Sequence, residues 1–238
     1  MDDSEAQGGR ADTTALRGLA AFVGGYAVFD ALPVLLGGGP VVEGIGAGDL
    51  IDAPLVFLLV GVYLNLGARA GLWREARLRL AAGAFLIVLV QGHGIHLAAN
   101  AIAGASNPGA AGWQTTYFLD EHWGHAEIHL AVVLMAALFI LAARPAAAGE
   151  GLKGGRGRYW LLLLAVVHGL FLAADAIEGQ TVPLMIGAGV VLPALARRRC
   201  GESGSILPRF FGAAFATALV VLVAYGVANG GYPELPLL

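Results

Sequence analysis

Apolar runs about as long as a bilayer is thick recur along the whole chain, at about 15–37, 50–68, 78–103, 119–143, 157–177, 181–197 and 208–229. A helix needs ~20 such residues to cross the hydrocarbon core, and inside it every backbone N–H and C=O must be satisfied within the segment. Seven runs of this kind leave one economical solution, an all-α polytopic membrane protein. The composition agrees: 58% of residues are hydrophobic and 13% charged, against roughly 25% charged in a soluble domain. Flanking these spans, residues 1–14 read as a polar tail and 230–238 as a C-terminal tail.

The connections alternate in charge. One set carries Arg69, Arg74, Arg77 and Arg79, then Arg144, Lys153, Arg156 and Arg158, then Arg197 to Arg199 and Arg209. The other set, at 38–49, 104–118, 178–180 and the C-terminus, has no basic residue. The positive-inside rule then places the N-terminus in the cytoplasm and the C-terminus outside. One lysine and arginines confined to turns exclude a nucleic-acid surface. The polar first dozen residues lack a basic n-region and argue against a cleaved signal peptide. Cys200 stands alone beside three arginines, so no intramolecular disulfide forms. The Ala/Gly/Arg-rich, Lys-poor composition points to a prokaryotic cytoplasmic membrane.

Two spans share a motif. HGIHLAANAIAG runs from His93 to Gly104 and HGLFLAADAIEG from His168 to Gly179, identical at eight of twelve positions. A fainter version, GGYAVFDAL, places Asp30 where Asn100 and Asp175 fall. The second and sixth spans each hold a Pro-Leu pair, at Pro54 and Pro183. These matches predict three helical-hairpin repeats, at about 15–68, 78–143 and 157–197, followed by a last helix at 208–229. Repeats that set polar groups at equivalent depths build sites between them.

All six histidines lie in or at the third, fourth and fifth spans. The fourth opens with DEHWGHAEIH, six of ten residues acidic or histidine, and then has no charge through Ala143 except in that opening. Ionisable groups in a span cost ~2.5–3.5 kcal/mol each at mid-helix and face the bundle interior. At 1.5 Å per residue His93, His129 and His168 lie about 13–15 Å below the outer ends of their helices. On a helical wheel His93, His96 and Asn100 share a face, Glu121, His125 and His129 form an i, i+4, i+8 stripe, and His168 eclipses Asp175. Glu127 falls off that stripe, and His122 and Trp123 read as interfacial.

Imidazole and carboxylate together are what a transition metal binds, zinc, iron or copper, as one ion or two. The expected ligand pool is His93, His96, His125, His129 and His168. Glu121 and Asp175 are ligands or general base, with Asn100, Asp30 and Glu178 around them. The expected function is a membrane-embedded metalloenzyme that hydrolyses or oxidises a hydrophobic or lipid-like substrate from the outer leaflet side. Two alternatives use the same residues. A b-type haem protein would leave three histidines and the carboxylates idle. A proton or metal-ion transporter needs a polar path, yet LRLAAGAFLIVLV, LAVVLMAALFILA and YWLLLLAVV make the cytoplasmic halves of these spans dry. In general architecture the chain resembles the progestin-receptor and alkaline-ceramidase group of zinc hydrolases. The last span has no histidine and HxxxH sits on the fourth, so no residue role carries over.

Overall fold

The computed structural model describes residues 3–37, 39–105, 112–143, 155–203 and 205–235. Nearly all of them are helical. α1 spans Asp3–Leu36, α2 Ala47–Arg69 and α3 Ala76–Gly104. A short α4, Trp113–Tyr117, runs through a π-helical segment, Phe118–Gly124, into α5, His125–Ala142. α6 spans Gly155–Glu178, α7 Val182–Ser203 and α8 Ile206–Asn229. Among the described residues six segments are long and apolar enough to cross a membrane, Leu16–Leu36, Ala47–Arg69, Ala76–Gly104, Trp113–Ala142, Gly155–Glu178 and Ile206–Asn229. This is the make-up of an integral membrane protein. α1 extends as helix back through most of the polar N-terminal tail, from Asp3.

α7 falls short of a full span for a physical reason. Its apolar part ends at Ala196, where Arg197, Arg198 and Arg199 begin. From Val182 that is about 22 Å of helix, less than the ~30 Å hydrocarbon core.

The helices close into a ring. α1 packs on α2, α2 on α3, α3 on α5, α5 on α7, α7 on α8, α8 on α6 and α6 back on α1. The first two expected hairpins are therefore packed pairs, α1 with α2 and α3 with α5. The third is not: α6 and α7 touch little, because α8 packs on both. The last helix, which sequence sets apart from the repeats, is the wedge that completes the ring.

Aromatic rings fill the centre. Phe22, Tyr26, Tyr63, Phe139, Phe210, Phe211 and Phe215 are all fully buried. Phe139 stacks on Phe211 with centroids 5.3 Å apart, and Phe22 meets Tyr63 edge-on at 5.1 Å. Large apolar side chains also remain exposed along the outer faces, among them Leu80, Ile87, Phe57, Val220 and Val227. A lipid-facing surface has no reason to hide them.

At the α2–α3 turn, Trp73 donates its indole N–H to the Leu64 carbonyl at 2.7 Å and packs closely against Gly67. A methyl group at Gly67 would sit 1.9 Å from the Trp73 ring. Gly67→Ala is therefore expected to unseat Trp73 and cost ~1–3 kcal/mol, the usual scale of overpacking. A lower unfolding temperature in detergent, together with a shift in tryptophan emission, checks this; an unchanged emission spectrum counts against it.

A feature absent from the sequence reading caps the other end. Pro40–Val42 and Ile45–Gly46 pair as a small antiparallel hairpin. Its turn residue Gly44 has φ +80° and presses on the last turn of α3. A Cβ there would lie 2.4 Å from the Ala101 carbonyl oxygen, and one on Gly104 would lie 2.8 Å from the Gly44 carbonyl oxygen. Glycine at 104, the last residue of the repeated motif, is what lets the hairpin seat.

Candidate metal centre

The site begins with a close approach of two backbones. Gly92 on α3 faces Gly124, where the π-helical segment ends. A Cβ on Gly92 would lie 2.7 Å from the Gly124 carbonyl oxygen, and one on Gly124 would lie 3.1 Å from the Gly92 oxygen and the His96 nitrogen. Small residues of this kind let membrane helices pack backbone to backbone. The contact brings the rings of His96 and His125 to 4.5 Å between centroids.

The π-helical segment then decides which acid joins them. In an unbroken α-helix, residues five apart lie roughly 140° apart around the axis, so Asp120 would point away from His125. An i→i+5 turn brings residues five apart nearly into line. Asp120 is thus buried, 7% exposed, and pairs with His96, Nδ1 to Oδ1 at 2.5 Å. Asn100 on the next turn of α3 donates its amide to His96 Nε2 at 3.2 Å. One ligand atom each from His96, Asp120 and His125 lie within 4.8 Å of one another.

Around this trio stand three more of the predicted residues, Glu121, His129 and His93. Glu121 keeps its i, i+4 relation to His125, with Oε2 3.4 Å from Nδ1. Neither atom has a hydrogen-bond partner among the described residues, although both are buried. Buried polar atoms are normally satisfied, so a pair of unsatisfied nitrogen and oxygen atoms facing each other fits an ion better than it fits a finished polar core. His129 is buried one turn further along α5, its ring 6.2 Å from that of His125. Its Nδ1 is hydrogen-bonded to the hydroxyl of Thr181, at the start of α7. Thr181→Val would strand that nitrogen and is expected to cost ~1–3 kcal/mol; a drop in detergent unfolding temperature checks it, and a neutral result contradicts the assignment.

His93 lies on the other side of His96, with ring centroids 6.2 Å apart. Its Nε2 is 3.2 Å from the Asp52 carbonyl oxygen and 3.8 Å from Asp52 Oδ1, and its Nδ1 has no partner among the described residues. Four of the five predicted histidines, His93, His96, His125 and His129, thus form one continuous run of rings across α3 and α5.

His168 does not join them. It is fully buried in an aromatic box supplied by α1 and α8, 4.6 Å from Tyr26, 5.1 Å from Phe22 and 5.7 Å from Phe210 by ring centroids. Neither ring nitrogen has a partner among the described residues. Asp175 accepts a hydrogen bond from Tyr26 at 3.2 Å rather than facing a histidine. Asp30 is half-buried with Oδ2 unpartnered among the described residues. Glu178 ends α6 beside Gly179, which packs on His125 so closely that a Cβ would lie 2.7 Å from the ring. Gly179, the counterpart of Gly104 in the repeat, therefore makes room for a histidine instead of a hairpin.

Two acids escaped the sequence reading. Asp120 immediately precedes Glu121 in the sequence, but an α-helical wheel turns it away from the His125 stripe. Asp52 was visible as an acid inside the second span. Glu127, read as interfacial and off the stripe, accepts a hydrogen bond at Oε1 from exposed Gln91 of α3 at 3.1 Å. His122 and Trp123, read as interfacial, are exposed. The loop 104–112 lies partly outside the described residues.

The end of the bundle that carries the hairpin holds a cavity beside Asn100. A cavity of about 530 Å³ is lined there by Pro40, Ile45, Asp49, Asn100, Ala103 and Gly104. Asn100 is at once its wall and the partner of His96. No family model matches the chain, and neither a curated protein nor a solved structure is significantly similar to it.

Proposed function

We propose that the protein is a membrane-embedded metalloenzyme whose ion is held by His96, His125 and Asp120. The observation that carries this reading is the convergence of those three side chains from α3 and the π-helical start of α5, within 4.8 Å of one another. Two imidazoles and one carboxylate are the donor set of hydrolytic zinc sites and of non-haem iron oxygenases, and both keep open positions for water or substrate. Glu121, 3.4 Å from His125, has the place of a general base. His93 and His129 flank the ion and orient its ligands, or hold a second one. Of the residues expected from sequence to share this site, Asp175 pairs with Tyr26 instead and His168 packs among Phe22, Tyr26 and Phe210.

The substrate on this reading is a hydrophobic or lipid-like molecule that approaches through the Asn100 cavity. With seven crossings, including the short α7, and the basic turns in the cytoplasm, that cavity opens on the extracytoplasmic side. The membrane is a prokaryotic cytoplasmic membrane. A relay of protons or ions through the bundle is disfavoured by the packing beyond His129, where Met135, Phe139 and Ile140 of α5 are fully buried against other apolar side chains. A haem would need two axial ligands facing each other across a gap wide enough for a macrocycle; the His96 and His125 rings are 4.5 Å apart.

Element analysis with a visible spectrum on the detergent-purified chain tests the reading. About one or two equivalents of zinc, iron or copper without a haem band is expected, and the element chooses hydrolysis or oxidation. A haem band, or no metal after purification without chelators, overturns it.

A further inference from the structure

At the opposite end of the bundle, α6 and α8 run side by side in the same direction and leave a crevice between their first turns. It has a volume of about 480 Å³ and is lined by Arg158, Leu161, Leu162, Arg209 and Ala213. Arg158 is exposed and Arg209 half-buried. No hydrogen bond or ion pair joins either guanidinium to another of the described residues. Two arginines therefore border a crevice whose other walls are methyl and methylene groups.

That combination selects its ligand. A soluble anion would gain nothing from Leu161, Leu162 and Ala213, and an uncharged acyl chain would gain nothing from two arginines. A lipid with an anionic headgroup uses both: its phosphate takes the fork of N–H donors that arginine presents, and its first methylenes lie along the leucines. The depth is right as well. Tyr159 and Trp160, next to Arg158, are 62% and 45% exposed, and exposed aromatic pairs of this kind sit at headgroup level. The helix ends add to the field, since the first four N–H groups of α6 and α8 have no intrahelical partner and point the same way.

We propose that the Arg158–Arg209 crevice is a binding site for one anionic phospholipid of the membrane leaflet on the basic side of the bundle. The site is independent of the metal centre. Arg158 and Gly179, which packs on His125, lie about 32 Å apart along α6 and its end.

Native mass spectrometry of the full chain in detergent tests this, with phosphatidylglycerol and phosphatidylcholine of identical acyl chains as probes. The wild type is expected to retain one phosphatidylglycerol and to lose phosphatidylcholine under the same activation. Each arginine is expected to contribute about fivefold, so Arg158→Gln with Arg209→Gln weakens phosphatidylglycerol binding roughly 25-fold. The Arg158→Lys, Arg209→Lys pair retains part of it, and metal content stays at the wild-type level in both. Equal retention of the two lipids by the wild type overturns the proposal even if the double variant does not purify. So does unchanged affinity in a well-folded double variant, or full displacement of the lipid by millimolar inorganic phosphate, which would reassign the crevice to a soluble anion.

Discussion

His125→Ala is expected to abolish stoichiometric metal binding while the protein still inserts and purifies. The ring of His125 is shared by everything in the centre: it lies 4.5 Å from His96, 6.2 Å from His129 and 3.4 Å from Glu121 by the contacts above. Losing a residue that merely supports a ligand lowers metal affinity by about 10–100-fold. Losing a ligand should therefore exceed about 100-fold. His96→Ala and Asp120→Asn are expected to do the same, and Asp120→Asn separates the account from any scheme based on histidines alone. His168→Ala is the control, because His168 packs among Phe22, Tyr26 and Phe210 and not at the trio. It should keep full metal content. Metal content measured by element analysis after identical purification checks all four variants. Full stoichiometry in His125→Ala, or loss of metal in a stably folded His168→Ala, would sink the assignment.

Gly92→Val is expected to remove the metal without touching a ligand. A Cβ at position 92 already meets Glu127 Cβ and the Gly124 oxygen at 2.7 Å and the Ile128 nitrogen at 2.9 Å. Two of these three are backbone atoms, which cannot rotate aside. Valine adds two more methyls, so α3 and α5 must separate. Overpacking of this kind costs ~1–3 kcal/mol and sometimes more. The larger effect is geometric, because donor atoms grouped within 4.8 Å are supplied from opposite sides of the seam. A lower unfolding temperature in detergent and sub-stoichiometric metal are expected together. Gly94→Val, whose Cβ has open space within 4 Å, should leave both unchanged. A stable Gly92→Val protein with a full complement of metal would show that the close seam does not position the site.

The spans were legible in the sequence because membrane helices announce themselves locally. Each needs a predominantly apolar run of fixed length, and arginines end several of the runs. What was not legible depends on neighbours. α7 has the right residues but too few of them before Arg197, and whether a short helix still packs as a ring member is set by α5 and α8. The repeat carried depth along the helix and not company across it. His93 and His168 occupy the same motif position, yet α2 brings the Asp52 carbonyl to His93 while α8 brings Phe210 and Phe211 to His168. Identical motif, different partner helix, different chemistry.

The same logic explains Asp120. Its role depends on a π-turn, and no residue in FLDEHWG encodes one on its own. The extra residue is accommodated where Gly124 docks on Gly92, so the register of the acid follows from a tertiary contact. Such insertions recur at functional sites because they turn a side chain inward that regular geometry would waste. The stripe Glu121, His125 and His129 was legible because it lies within or beside regular turns.

X-ray absorption at the edge of the bound metal, on the detergent-purified wild-type chain, tests the central claim most directly. The account predicts a first shell of nitrogen and oxygen only, with two imidazoles, and one fewer imidazole or none in whatever metal remains on His125→Ala. A shell of four or five imidazoles, a porphyrin signature, or a first shell with a single imidazole would contradict it.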